Sequence, residues 1–230
     1  MRLAIDIGGT FTDIVLEDKT NLFTKKVLTS TSQPEVAVIE GVEELLQENK
    51  IKSSDIKMII HGTTLATNAV IERKGAKTCF ITTEGFRDVL DIGYESRFDQ
   101  YDILIEKTMS IVPRKHRYVI EERTDINGNI IKAINMKKFH SLVDAIKNEK
   151  FESIGIGFLH SYANSKNENE LKEFLLKYLP DVEVSISSDV CPEIREYERF
   201  TTTVVNSYIK PLISTYLKKL DTELRQKGFN

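Results

Sequence analysis

Asp6-Ile7-Gly8-Gly9-Thr10-Phe11-Thr12-Asp13 is the stretch on which the reading of this 230-residue chain turns. Leu3-Ala4-Ile5 before it and Ile14-Val15-Leu16 after it are short apolar runs of strand type, so the octet must hold a tight strand-to-strand turn. Gly8 and Gly9 let the backbone turn and come close to a ligand with no Cβ in the way. A carboxylate at a strand end, Asp6, and two hydroxyls, Thr10 and Thr12, surround backbone N–H groups that such a turn points outward. This composition suits a phosphate, with Asp6 holding a hydrated magnesium ion and Asp6 and Asp13 as the candidate catalytic carboxylates. The plain alternative is a Gly-Gly hairpin with no ligand, which suits an isolated Gly-Gly-Thr better than it suits the whole octet.

Working outward, Leu22 to Thr29 gives a third strand, joined through a turn at Asn21, so three antiparallel strands open the chain. Pro34 starts a helix with Val36, Ile39, Val42, Leu45 and Leu46 at helical spacing and Ser32 as its cap. Met58-Ile59-Ile60 is a buried strand leading into His61-Gly62-Thr63-Thr64-Leu65-Ala66-Thr67-Asn68. Thr64 is placed to cap a helix ending near Gly75, whose first-turn N–H groups face the same side as a ligand at the strand end. Cys79-Phe80-Ile81 forms the next strand, and the order so far is βββαβαβ.

From Thr83 to Lys115 only Phe86 to Leu90 reads as helical, and a stretch this long without periodicity reads as a functional loop. His116 to Thr124 alternates into a strand, Asn127-Gly128 marks a hairpin and Ile130-Ile131 returns. A helix over Met136–Lys147, a strand over Ile154–Phe158, a helix over Glu168–Tyr178 and a strand over Val182–Ile186 complete a hairpin plus αβαβ region. From Thr201 to Arg225 an apolar stripe marks a long helix, bent at Pro211 and capped at Gly228.

Composition excludes several functions. A net charge of −3 with 40% apolar and 29% charged residues gives no basic excess for nucleic acid or a membrane surface. No apolar run spans a bilayer and no leader precedes the first strand, so the expected location is the cytoplasm. Cys79 and Cys191 read as free thiols. No two of the four histidines have metal-ligand spacing, so no protein-built zinc or iron site is expected.

The octet at 6–13, the segment Gly62 to Gly75, the run Thr82-Thr83-Glu84-Gly85-Phe86-Arg87-Asp88-Val89-Leu90 and Pro192-Glu193-Ile194-Arg195-Glu196-Tyr197-Glu198-Arg199 together resemble one family. It is the N-terminal region of the hydantoinase A and 5-oxoprolinase group, whose relatives include acetone and acetophenone carboxylase subunits. The resemblance implies an actin-like ATPase fold in which two ribonuclease-H-like lobes clasp ATP, with Gly8, Gly9, Thr10 and Thr12 around the phosphates and Asp6 near magnesium. It implies a hydantoinase/oxoprolinase domain over 1–199, made of a ribonuclease-H-like part at 1–82, a loop at 83–115 and a hairpin plus αβαβ part at 116–199. Residues 200–230 would then be a helix leading to a second lobe. Complete members of the family are several hundred residues longer, so the chain is expected to supply half a site and not to turn over ATP alone.

The implied activity is ATP-dependent ring opening of a cyclic amide through phosphorylation of its oxygen, with a hydantoinase B-type subunit as a possible partner. The alternatives are a ketone carboxylase subunit and a non-catalytic assembly module. Thr63, Thr64 and Asn68 are candidate substrate- or phosphate-binding residues, against simple capping by Thr64 with Asn68 exposed. Arg87, Asp88 and Arg97 flank the irregular loop and are candidates to hold a carboxylate or ring carbonyl, against a solvated loop. Glu72 and Arg73 read as surface ion pairs. The charged run at Arg195, Glu196, Glu198 and Arg199 reads as a solvated helix start, with an ordered active-site wall as the alternative. His61 is read as a structural histidine, with a proton carrier as the alternative.

Overall fold

The computed structural model describes residues 1–30, 33–94, 99, 101–105 and 108–229. The chain is α/β and divides into two compact units, Met1–Lys74 with Leu212–Asn230, and Gly75–Pro211.

The first unit opens with β1 (Arg2–Ile7), β2 (Phe11–Glu17) and β3 (Leu22–Leu28), followed by α1 (Pro34–Glu48), β4 (Met58–Thr63) and α2 (Leu65–Ile71). Its sheet has the order β3-β2-β1-β4, antiparallel across the first three strands and parallel between β1 and β4. Strand alternation sends Leu3, Ile5, Ile7, Ile14 and Leu16 to one face, where Val38, Val42 and Leu45 of α1 and Tyr216 and Leu220 from the end of the chain bury them. Pro34 lies in the first turn of α1 as expected. Gln33 stands at the cap position, and Ser32 lies outside the described residues. The α2 helix stops short of Gly75, and Arg73 takes a left-handed φ of 57° just beyond it.

The second unit contains β5 (Thr78–Thr83), α3 (Val89–Ile92), β6 (Arg117–Ile120), β7 (Arg123–Thr124), β8 (Ile130–Lys132), α4 (His140–Glu149), β9 (Ser153–Gly157), α5 (Lys166–Tyr178), β10 (Glu183–Ile186) and α6 (Ser187–Val190). Its main sheet is parallel, in the order β10-β9-β5-β6. Every residue of β5 and β9 is buried, as two-sided cover of a parallel sheet demands. One face packs Ile81, Ile154, Ile156 and Val184 against Val143 and Ile146 of α4 and Leu171 and Leu175 of α5. Phe80, Val112, Phe200 and Val204 form a separate cluster.

Two expectations change here. β5 pairs with β9 and β6, so the division of the chain falls at Lys74/Gly75 rather than at 82, and residues 212–230 complete the first unit rather than only leading away from it. The strand expected over 116–124 is two strands: β6 lies parallel to β5, and β7 forms a hairpin with β8 around Gly128 at a φ of 84°. The segment 83–115 is anchored at several points. The buried Arg117 guanidinium donates to both carboxylate oxygens of Asp91, at 2.6 and 2.8 Å, and to the Val112 carbonyl at 3.0 Å.

The last helix, α7 (Glu196–Gln226), is 31 residues long and begins inside the charged run. Arg199 is buried there, donating to the Phe158 carbonyl at 3.1 Å and lying over the Phe200 and Tyr162 rings, so the solvated helix start is corrected at this residue. At the far end Gly228, with a φ of 82°, closes the helix, and the Phe229 N–H returns to the Leu224 carbonyl at 3.1 Å. Among the described residues no helix is long and apolar enough to cross a membrane. Cys79 is buried and Cys191 half-buried, and both are free thiols.

Candidate functional site

Strand register sets the geometry at the end of β1. Because Ile5 and Ile7 point into the core, Asp6 projects from the opposite face, and Asp13 lies directly across from it on β2. The same row continues to Lys26 on β3 and Gly62 on β4. Two carboxylates facing each other would repel. Lys26 relieves this on one side only, with its Nζ 2.7 Å from an Asp13 oxygen and 5.3 Å from the Phe11 ring centre. Asp6 is exposed and has no hydrogen-bond or ion-pair partner among the described residues. Gly62 leaves the room it occupies, since a Cβ there would lie 3.1 Å from an Asp6 carboxylate oxygen.

The turn itself differs from the expected use of its glycines. Positive φ among the glycines is confined to Gly85, Gly93, Gly128 and Gly228, so Gly8 and Gly9 serve by their lack of bulk. A Cβ on Gly8 would stand 3.0 Å from the Phe11 carbonyl, to which the Gly8 N–H donates at 2.9 Å. Gly9 and Thr10 are exposed, and among the described residues neither N–H is used within the chain. Thr29 latches the turn from the end of β3. Its N–H donates to the Thr10 carbonyl and its hydroxyl to the Gly8 carbonyl, at 2.9 and 3.0 Å. Thr12 is fully buried in phase with Ile14, its hydroxyl 2.9 Å from that of Thr29. The expectation that Thr12 offers a hydroxyl to a ligand is therefore corrected: its side chain holds the turn from inside.

Thr63, Thr64 and Asn68 do gather at this end of the sheet, chiefly through bonds to one another and to β1. The Thr64 N–H and hydroxyl both donate to the Ile7 carbonyl, at 3.1 and 3.3 Å, while Asn68 Nδ2 donates to the Thr64 hydroxyl at 3.3 Å and lies beside Gly9. Thr63, not Thr64, accepts the Leu65 N–H at 3.1 Å, so the capping role moves by one residue and that N–H is spent. His61 turns to the core face with Ile5. Its Nε2 is 2.9 Å from the Tyr216 hydroxyl, and burial holds its pKa below the usual 6.5, which fits the structural reading.

A model of the hydantoinase/oxoprolinase N-terminal region matches residues 2–179. The chain belongs to that family. It is 41% identical to an uncharacterised protein of Methanocaldococcus jannaschii over all of this chain and 34% of the other. It is 31% identical to the caprolactamase alpha subunit of Pseudomonas jessenii over 99% of this chain and 34% of that subunit. The crystal structure of that organism's ATP-dependent caprolactamase superposes with a TM-score of 0.89 over the same shares of the two chains. The 5-oxoprolinase 1 of Arabidopsis thaliana is 29% identical over 97% of this chain and 20% of its own. The chain thus spans about a third or less of the length of these curated relatives.

The remaining candidates of this hydantoinase/oxoprolinase region lie in the second unit and are described within it. Asp88 is held by Arg114 through two bonds, at 2.7 and 3.0 Å, which pull its carboxyl below the usual carboxylate range. That pairing removes it from the expected carboxylate- or carbonyl-binding set. Arg87 lines a cavity of about 460 Å³ beside β6, and Arg97 lies outside the described residues. Glu72 pairs with Lys74 at 2.7 Å, as a surface residue does. Sequence reasoning passed over Lys26, Thr29 and Gly62. The period of two residues that assigns the strands would have placed Lys26 and Gly62 in the row of Asp6 and Asp13 once the register was known.

Proposed function

We propose that this chain forms the phosphate-facing N-terminal part of an ATP-dependent cyclic amidohydrolase of the hydantoinase or 5-oxoprolinase type. The observation that carries the reading is Asp6: an exposed carboxylate that is unpaired among the described residues, with room over Gly62 and next to two N–H groups that those residues leave unused, in a chain 31% identical to a protein named as an ATP-dependent caprolactamase. These residues fit the expected ligands. Magnesium keeps several waters and needs one or two carboxylates rather than a protein cage, a role for Asp6, while the Gly9 and Thr10 N–H groups suit phosphate oxygens. ATP, when bound, supplies the phosphoryl group that makes an amide oxygen a leaving group. Lys26 keeps Asp13 in place, so the local excess of negative charge falls on Asp6. Thr29 and Thr12 hold the turn at the spacing it needs. The relative's designation as a subunit supports a partner chain of hydantoinase B type, and cytoplasmic location belongs to the same reading.

The test is ATP-dependent ring opening of hydantoin, 5-oxoproline and caprolactam by the chain extended through the length its relatives have, mixed with the product of an adjacent subunit gene. Phosphate release is followed in parallel. Coupled ring opening and phosphate release is the expected result. Phosphate release only with a ketone and bicarbonate would move the assignment to a carboxylase, and no hydrolysis with any substrate would leave a binding or assembly module.

A further inference from the structure

The cavity of about 460 Å³ in the second unit lies between the edge strand β6 and the start of α4. Its volume is in the range of small-molecule sites. Tyr118, Phe139, Leu142 and Ala145 supply apolar wall, and Glu84 and Arg87 also line it. Nearby charges are mostly spoken for: Asp88 by Arg114, Arg117 by Asp91, and Glu121 by Lys132 at 3.4 Å. Glu84 and Arg87 differ. Neither side chain has a hydrogen-bond or ion-pair partner among the described residues, and although three positions apart they do not pair with each other. Val119 adds main-chain polarity. The Glu84 N–H bonds to the Ile120 carbonyl, so Ile120 directs its backbone groups to β5, and Val119, one residue before, directs its own to the open edge.

An unpaired cation and an unpaired anion on the wall of one partly apolar cavity are complementary to a zwitterion with a short hydrocarbon spacer. We propose that this cavity binds a linear amino acid, its carboxylate held by Arg87, its ammonium by Glu84 and its alkyl chain along Phe139, Leu142 and Ala145. The choice of ligand rests on the amidohydrolase reading in its lactam form, because opening a lactam such as caprolactam by water yields a chain with a carboxylate at one end and an amine at the other.

Binding to the intact chain tests this without any turnover. Calorimetric titration would use 6-aminohexanoate, hexanoate, hexylamine and 5-oxoproline as probes. The zwitterion is expected to bind at least fivefold more tightly than either singly charged probe, and 5-oxoproline, which lacks the ammonium, no better than hexanoate. Arg87→Gln should weaken 6-aminohexanoate and hexanoate at least tenfold while sparing hexylamine, and Glu84→Gln should do the reverse. Ala145→Phe, which fills the apolar wall, should weaken every probe; thermal melting of each variant checks that the fold persists, with Arg87→Lys and Ala145→Leu as substitutes. Equal affinity for the zwitterion and hexanoate, or no response to Arg87→Gln in a folded variant, overturns the assignment. Either result leaves ring opening by the longer enzyme standing, and absence of ring opening alongside selective zwitterion binding would count against the amidohydrolase reading alone.

Discussion

Asp6 and Asp13 show how one row of a sheet assigns different work to the same residue type. Lys26 neutralises Asp13, whereas Asp6 faces Gly62 and has no ion-pair partner among the described residues. Because Asp6 contributes no pairing to the fold, Asp6→Asn is expected to leave the melting temperature within a degree or two or to raise it slightly, while the longer enzyme loses at least a hundredfold in kcat; melting curves beside steady-state phosphate release decide this. A fall in stability together with activity would sink the assignment. Glu122 is a buried carboxyl of another kind. It accepts bonds from the Thr83 hydroxyl and, at 2.8 Å, from Asn167, yet burial still pushes its pKa above the ordinary 4.5. A raised folded-state value means that its contribution is present below about 4.5 and is lost as pH rises through the raised value. Glu122→Gln cannot titrate, so the variant should gain stability relative to the parent between pH 5 and pH 7.5. Urea midpoints at the two pH values measure the difference, and a gap that does not change with pH would refute it.

The elements differ in how far the sequence exposed them. β1, β2 and the Gly8-Gly9 turn were legible because alternation and turn chemistry agree there, and in retrospect Thr12 was too, being in phase with Ile14. β5 was legible as a strand but not as a member of the second sheet, since a run such as Cys79-Phe80-Ile81 is apolar throughout and suits any two-sided site. Burial of Arg199 was hidden for the opposite reason. A charged residue at a helix start is ordinarily solvated, and the tertiary partners that explain its place, the Phe158 carbonyl and the Tyr162 and Phe200 rings, cannot be read from the local sequence. β9 shows what such packing requires of the backbone. A Cβ on Gly157 would come within 2.5 Å of the Phe200 ring and 2.7 Å of Phe80, both rigid and buried. Gly157→Ala should therefore cost about 1–3 kcal/mol by overpacking, read from chemical unfolding; a neutral result would mean that the aromatic cluster can shift.

At the scale of the whole molecule, the two units draw on the sequence unequally. The second is one uninterrupted stretch, Gly75–Pro211, whereas the first joins Met1–Lys74 to Leu212–Asn230. Tyr216, Leu220 and Phe229 belong to the core formed by Leu3, Ile5 and Ile14. A chain cut after Pro211 should keep slow hydrogen exchange in β5 and β9 and lose it in β1 and β2. Retained protection in β1 would show that the first unit holds without those side chains. The same arrangement bears on biosynthesis. The strand carrying Asp6 is translated before the intervening unit, and the side chains that finish its core only after that unit. Until residues 212–229 are made, the sheet of the first unit therefore has part of its apolar face open, while the intervening unit already has everything it needs to fold. Holdase chaperones would act on that early segment, and a ribosome stalled before codon 212 would release a chain whose second half is native and whose first half is not.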